Sequence, residues 1–167
     1  MRRPTPLPTA PGQESVWAYP RPPALVPSSA HVVVLLGGVV VCDTRRALRV
    51  LETSHPPSWY LPYADWVDGS LRASASGQTS QCESKGQAGY LDVVGGGLVA
   101  QEAAWSYEHP VERYADLAGH VSVYPARMDL VTVDGEVVQA QAGGFYGGWV
   151  TADVAGPFKG ELGSWGW

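Results

Sequence analysis

The sequence predicts a mainly β domain with some α character: a compact antiparallel barrel or rolled sheet with one or two short helices. Three hairpin signals carry that prediction. Val32-Val33-Val34-Leu35-Leu36 and Val39-Val40-Val41 flank Gly37-Gly38, two β-rich runs around a two-glycine turn. Tyr90-Leu91-Asp92-Val93-Val94 and Leu98-Val99-Ala100 flank Gly95-Gly96-Gly97 in the same way. Met128-Asp129-Leu130-Val131-Thr132-Val133 runs through Asp134-Gly135 into Glu136-Val137-Val138. An Asp-Gly pair accepts positive φ at both central positions, as a type I′ turn demands. Short strands joined by tight turns with little helix make an antiparallel sheet that rolls or closes.

The remaining elements follow in chain order. Residues 1–13 hold four prolines and no periodicity, and are expected to be disordered. Residues 14–162 form a single β-rich domain, opening with an extended aromatic-proline strap from Val16 to Pro27. Asp43 or Thr44 is placed to cap a short helix over 44–53, with Arg45, Arg49 and Glu52 on one face. Pro56 disfavours helix at His55, so the chain leaves extended and carries His55, Trp59 and Tyr60 toward the wall of a polar pocket. Small polar residues between Trp66 and Ser80 suggest a loop or weak edge strand. A turn or two of helix is expected around Ala103–Tyr107 and Val111–Leu117. The glycine- and aromatic-rich tail from Gly143 allows close backbone approach to rings or a ligand. Residues 163–167 are expected to fray.

Composition narrows the function. The chain of 167 residues is 45% hydrophobic and 16% charged, with a formal net charge of -5. That charge argues against nucleic acid as a partner. No apolar run approaches the roughly 20 residues that span a bilayer. Met1-Arg2-Arg3 is followed by no apolar segment, so no secretory signal is read and a cytoplasmic home is expected. Two cysteines, Cys42 and Cys82, are too few for a disulfide scaffold or zinc site. His31, His109 and His120 are scattered, and neither a metal nor another cofactor is expected. Ile and Asn are absent and nine Arg stand against two Lys, the usage of a GC-rich genome such as an actinomycete's. Both lysines, Lys85 and Lys159, precede a glycine.

Lys85 leads the candidates for chemistry. A desolvated amine loses pKa and serves as an acid–base group or forms an imine; the alternative is a structural ion pair with Glu52 or Asp92. Glu52 is the matching base or pairs with Arg49. His55 suits proton transfer or is a turn residue fixed by Pro56. Arg45 or Arg46 would grip a carboxylate or phosphate. Trp105 and Tyr107, if extended, stack on a planar ligand; otherwise they are core. Tyr124 before Pro125 presents a phenol at a strand end. Cys82, close to Lys85, is a candidate low-pKa thiol, and Cys42 reads as buried and inert.

Several of these segments together resemble the domain-of-unknown-function 427 family. They are Thr44–Glu52, His55-Pro56-Pro57, Tyr60-Leu61-Pro62, Lys85-Gly86 with Ala88 and Tyr90, Ala103–Tyr107, Gly119-His120-Val121 to Tyr124-Pro125, and Gly143–Thr151 through Gly156–Gly160. The likeness covers about residues 15–160. It implies a mushroom-shaped β-rich fold whose polar and aromatic motif residues, Tyr60 and Tyr90 among them, line a pocket. A nucleotidyltransferase label is sometimes attached to the family. That chemistry needs paired carboxylates holding Mg²⁺, and this chain has no close Asp-x-Asp pair and no glycine-rich phosphate loop before a helix. The chain departs from the family pattern at Cys82-Glu83-Ser84-Lys85, where Glu83 replaces a proline and Ser84 an aromatic; Leu91 replaces a second aromatic. Lost ring volume would enlarge the pocket and Glu83 would add a base, as in a member specialised for its own substrate in secondary metabolism.

The expected function is therefore a cofactor-independent small-molecule enzyme. Lys85, Glu52, His55 and Glu83 would manage protons. Arg45, Arg46, Tyr60, Tyr90, Trp105, Tyr107 and Tyr124 would hold the substrate, an anionic one if the arginines face it. The reaction would be a cyclisation, dehydration, isomerisation or hydrolysis. The alternatives are a non-catalytic binding module with the same pocket, or an interaction domain using aromatics near the termini. The chain would be a monomer, or a homodimer through a strand edge.

Overall fold

Alternation of side chains across two packed sheets builds the architecture. The computed structural model describes residues 2–167. Its strands are β1 (Glu14–Ser15), β2 (Ala24–Ser28), β3 (Val32–Leu36), β4 (Val39–Thr44), β5 (Ala47–Leu51), β6 (Ser58–Pro62), β7 (Leu71–Ala73) and β8 (Thr79–Cys82). They continue with β9 (Gly86–Gly95), β10 (Leu98–Ser106), β11 (His120–Val123), β12 (Leu130–Val133), β13 (Glu136–Val137), β14 (Gln139–Ala140), β15 (Trp149–Val150) and β16 (Val154–Ala155). The larger sheet runs β2-β5-β6-β11-β10-β9-β7, with β8 also on β9. The smaller runs β13-β12-β3-β4. Every pairing within these two sheets is antiparallel. The sheets roll over one another without closing, so the rolled-sheet form of the expected fold is the one adopted.

All three hairpins form where the turn chemistry places them: β3–β4, β9–β10 and β12–β13. At the last, Asp134 sits at φ +48° and Gly135 at +80°, the two positive values a type I′ turn needs. Strand β3 buries Val32, Val34 and Leu36 and leaves Val33 and Leu35 half-buried, a period of two. These side chains meet Trp59 and Leu61 of β6, Val93 of β9, Val121 and Val123 of β11, and Trp149 in the main core. Burial of each such aliphatic side chain contributes roughly 1.5–3 kcal/mol. Strand β6 is buried on both faces: Trp59 and Leu61 enter the main core, whereas Tyr60 enters a second cluster with Val50, Ala88, Trp105, Tyr107, Tyr114 and Leu117. That second face carries the cleft described below.

Two expected helices are strands. Ala47–Leu51 is β5, inserted between β2 and β6, rather than a helix over 44–53. Its Ala, Leu and Arg are good helix formers, but helix propensity is worth under about 1 kcal/mol per residue, and two flanking strands satisfy the backbone instead. The Thr44 hydroxyl does accept an N–H two residues on, from Arg46 at 3.0 Å, but it closes the β4–β5 turn. Strand geometry also breaks up the face expected to join Arg45, Arg49 and Glu52. Arg49 turns to Glu14 at 2.8 Å and lies over Trp59, and Arg46 pairs with Asp65 at 2.6 Å. Residues 103–106 belong to β10; only Glu112–Leu117 winds, as 3₁₀ turns.

The strap packs as predicted: Ala24–Ser28 pairs with β5, and Val16 and Trp17 are buried. The 66–80 segment supplies the short edge strands β7 and β8. Residues 2–13 contain no strand, although the Leu7 amide donates to the Gly156 carbonyl at 2.9 Å. The end of the chain is tied down rather than frayed. Ser164 is buried, its hydroxyl accepts from the Gly160 amide at 2.9 Å, and Trp167 meets Trp17 edge-on at 5.6 Å. No helix among the described residues is long and apolar enough to cross a membrane.

Candidate functional site

On the second face of the larger sheet lies a cleft of about 470 Å³. Strands β5 and β6 supply Val50, Ser58 and Tyr60, and β9 and β10 supply Ala88, Tyr90 and Trp105. Tyr107 and Tyr124 follow the ends of β10 and β11. Lys85 comes from the β8–β9 hairpin, where Cys82 pairs with Gly86 and the Lys85 carbonyl accepts from Val111 at 3.0 Å. Glu52 and His55 sit on the turn leaving β5. That turn closes with the His55 amide donating to the Glu52 carbonyl at 3.0 Å, and Ser54 takes φ +75°. The glycine-rich tail closes the other wall with Gln141, Phe145, Tyr146, Gly147 and Lys159.

Eight of the eleven residues singled out from the sequence thus come together: Lys85, Glu52, His55, Tyr60, Tyr90, Trp105, Tyr107 and Tyr124. Three do not. Arg45 and Arg46 are exposed at the β4–β5 turn, and Glu83 is exposed in the β8–β9 turn; none of the three lines the cleft. The two arginines are expected there for their anion-gripping chemistry, but the turn between two strands points them to solvent, and Arg46 pairs with Asp65. Glu83 lies in the hairpin turn between Cys82 and Lys85, with its side chain toward solvent. Lys159, Gln141 and Tyr146 were not singled out as site residues. The lysine and tyrosine lay within motifs already noted in the tail, but nothing in the sequence pointed to Gln141.

The chemistry of the cleft is set by burial. Lys85 is 9% exposed, and no carboxylate pairs with it among the described residues. Asp92, one expected partner, is taken by Arg72 at 3.2 Å and by the Glu102 amide at 2.9 Å. The Lys85 ammonium lies 5.9 Å from the Tyr107 ring centre. Burial alone would raise the Cys82 thiol, but the Lys85 charge and the hydrogen bonds from Lys85 and Ser84 outweigh it and hold Cys82 below its ordinary range. Cys42, in the main core, is pushed up by burial. Burial likewise drives Tyr60 and Tyr107 above the usual phenol range and Tyr124 to about 12, so all three keep their protons. Trp105 donates from Nε1 to the Tyr60 hydroxyl at 3.1 Å and meets the Tyr124 ring at 4.6 Å. The aromatics are at once core and cleft wall.

His55 is displaced in the opposite direction to the phenols. Burial first, then the charges of Lys159, Arg21 and Lys85, lower it to about 4. Its ring meets Tyr146 edge-on at 4.7 Å. A histidine whose folded pKa lies below its unfolded value near 6.5 adds stability at neutral pH that is lost as pH falls from about 6.5 to about 4. With 1.36 kcal/mol per unit, the loss is about 3 kcal/mol. Urea midpoints taken across that range should fall more steeply for the wild type than for a His55→Gln variant; parallel curves would show that His55 does not carry the effect.

Two glycines let the tail approach. A Cβ on Gly147 would lie 2.1 Å from Cη2 of Trp105, and one on Gly148 would lie 2.5 Å from Oε1 of Gln141 and 2.7 Å from the Pro56 carbonyl oxygen. Gly147→Ala is therefore expected to cost about 1–3 kcal/mol and to displace the Trp105 indole. Urea unfolding and the near-ultraviolet circular dichroism of the tryptophans would read both effects.

A second hollow of about 540 Å³ adjoins the cleft and shares Tyr90, Tyr124, Gln141, Gly144 and Tyr146 with it, with Glu102 and Arg127 among its walls. The cleft proper carries two lysines against one glutamate in a chain of net charge -5.

A search of curated proteins finds no match. Residues 24–134 match the family described as a domain of unknown function (DUF427), a span that takes in most of both sheets and the Lys85, His55 and Tyr60 segments of the cleft. With well over half of its length inside that match, the chain belongs to the DUF427 family.

Proposed function

We propose that the cleft binds a small anionic molecule and that Lys85 acts on it, as an acid–base group or as an imine-forming amine. One observation carries this reading: a buried amine opens into the cleft with no carboxylate paired to it among the described residues. A structural lysine is neutralised by a partner, whereas a working one is left available to ligand. Lys159, which also lines the cleft and whose ammonium donates one bond to the Trp167 carbonyl at 3.3 Å, takes the anion-gripping part expected of Arg45 or Arg46. Glu52 is the carboxylate available to exchange protons with substrate, and the protonated phenols of Tyr60, Tyr107 and Tyr124 enclose it. On this reading the chain is a cytoplasmic enzyme of secondary metabolism that works without a cofactor and runs a cyclisation, dehydration, isomerisation or hydrolysis. The test is incubation of the purified protein with a metabolite extract, followed by mass-spectrometric comparison of what is consumed and formed. Loss of one anionic metabolite with appearance of a product is expected. A metabolite enriched on the protein but never converted would instead make the chain a binding module.

A further inference from the structure

The amide of Gln141 is held in one orientation by two backbone groups. Its Oε1 accepts from the Gly148 amide at 3.0 Å, and its Nε2 donates to the Lys159 carbonyl at 2.7 Å. Turning the amide over would set an N–H against an N–H and an oxygen against an oxygen, losing both bonds. The same Nε2 lies 3.1 Å from Nδ1 of His55. An amide nitrogen has two protons and no lone pair to offer, so its second proton goes to His55, and Nδ1 has to accept. The imidazole proton then resides on Nε2. That nitrogen has no protein partner among the described residues. Unlike the sealed, unpaired Arg49 Nε, Trp66 Nε1 and Ser122 Oγ, it is reached by solvent, on a residue that lines the cleft.

We propose that Gln141 fixes His55 as its Nε2–H tautomer, so that His55 offers the ligand a hydrogen-bond donor and not a base. The groups facing His55 agree. Lys159, Lys85 and Arg21 each oppose a positive charge on the ring, and Tyr146 packs against it edge-on. Glu52 lines the same cleft but makes no hydrogen bond to the ring. A neutral imidazole N–H beside two ammonium groups suits an acceptor-only group, such as a carbonyl or carboxylate oxygen that gains negative charge during reaction. The part His55 plays toward ligand rests on the function proposed above; the tautomer does not.

The experiment is long-range proton–nitrogen correlation of the histidine rings in the ¹⁵N-labelled full chain over about pH 5 to 8. His55→Gln identifies the His55 signals. The expected pattern is one neutral tautomer throughout, with the protonated nitrogen at Nε2. In Gln141→Glu a carboxylate replaces the donor, and His55 is expected to move its proton to Nδ1 and to raise its pKa by more than about one unit. Where that variant does not fold, Gln141→Met serves, with a mixture of tautomers expected. A wild-type ring protonated at Nδ1, or titrating near pH 6.5, would overturn the proposal, as would a folded Gln141 variant that keeps the wild-type tautomer. None of these outcomes depends on turnover, so a failed search for substrate leaves the tautomer intact, and a wrong tautomer leaves Lys85 chemistry standing.

Discussion

Trp149→Ala is expected to remove about 3–5 kcal/mol of stability, the range for emptying a fully buried tryptophan site. Trp149 is completely buried, stacks on Trp59 at 5.6 Å with planes 15° apart, and donates from Nε1 to the Val123 carbonyl at 3.1 Å. Alanine would leave a cavity in the main core and a buried carbonyl without its donor. The effect reaches the cleft because the Trp149 amide donates to the Pro57 carbonyl at 2.8 Å, tying the glycine-rich tail to the turn that carries His55. Thermal unfolding should show a fall in Tm of about 6–20 °C for a chain of this size. Trp165→Ala, at an exposed tryptophan, is the control and should leave Tm nearly unchanged. A Trp149→Ala protein within about 1 kcal/mol of wild type would mean that the indole is not the keystone of this core.

Lys85→Ala is expected to fold and to lower turnover by about 10²–10⁴-fold, the usual contribution of one acid–base group. Folding should survive because Lys85 has no ion partner to leave unpaired among the described residues, and its main-chain bond to Val111 does not need the side chain. Lys85→Arg separates charge from chemistry. Arginine keeps a cation near Tyr107 but does not give up its proton and forms no imine, so it should restore ligand affinity without restoring turnover. Equal turnover in all three proteins would remove Lys85 from the mechanism. The Cys82 thiol gives a second readout, because loss of the lysine charge should return it toward its ordinary range and slow its alkylation at neutral pH.

The strand content was legible because turn chemistry is local. Gly37-Gly38, Gly95-Gly96-Gly97 and Asp134-Gly135 announce their hairpins whatever surrounds them, although Gly95 pairs with Leu98 and leaves a two-residue turn where three were expected. The segment after Thr44 was misread because Ala47, Leu48 and Arg49 favour helix locally, and only the long-range pairing with Ala24–Ser28 and Ser58–Pro62 makes them a strand. Arg45 and Arg46 had the right chemistry for an anion but sit in the β4–β5 turn, whose place at the surface only that same pairing decides. Lys85 and His55, which line the cleft, stand out in the sequence because the chain has only two Lys and four His, and the aromatics stand out because they fall within the quoted motifs. Gln141 could not be. Its role comes from three contacts, to His55, Gly148 and Lys159, and two of those partners are 86 and 18 residues away in sequence.

Native mass spectrometry of the purified chain, mixed with a metabolite extract, tests the central claim most directly. A single cleft centred on Lys85 predicts one noncovalent adduct with a small anion, whose mass or, for an isomer, chromatographic retention after release changes on incubation with wild type and stays fixed with Lys85→Ala. An adduct recovered unchanged from both proteins would contradict the catalytic reading and leave a binding module. No adduct with either protein would contradict the small-molecule reading itself and direct attention to protein partners.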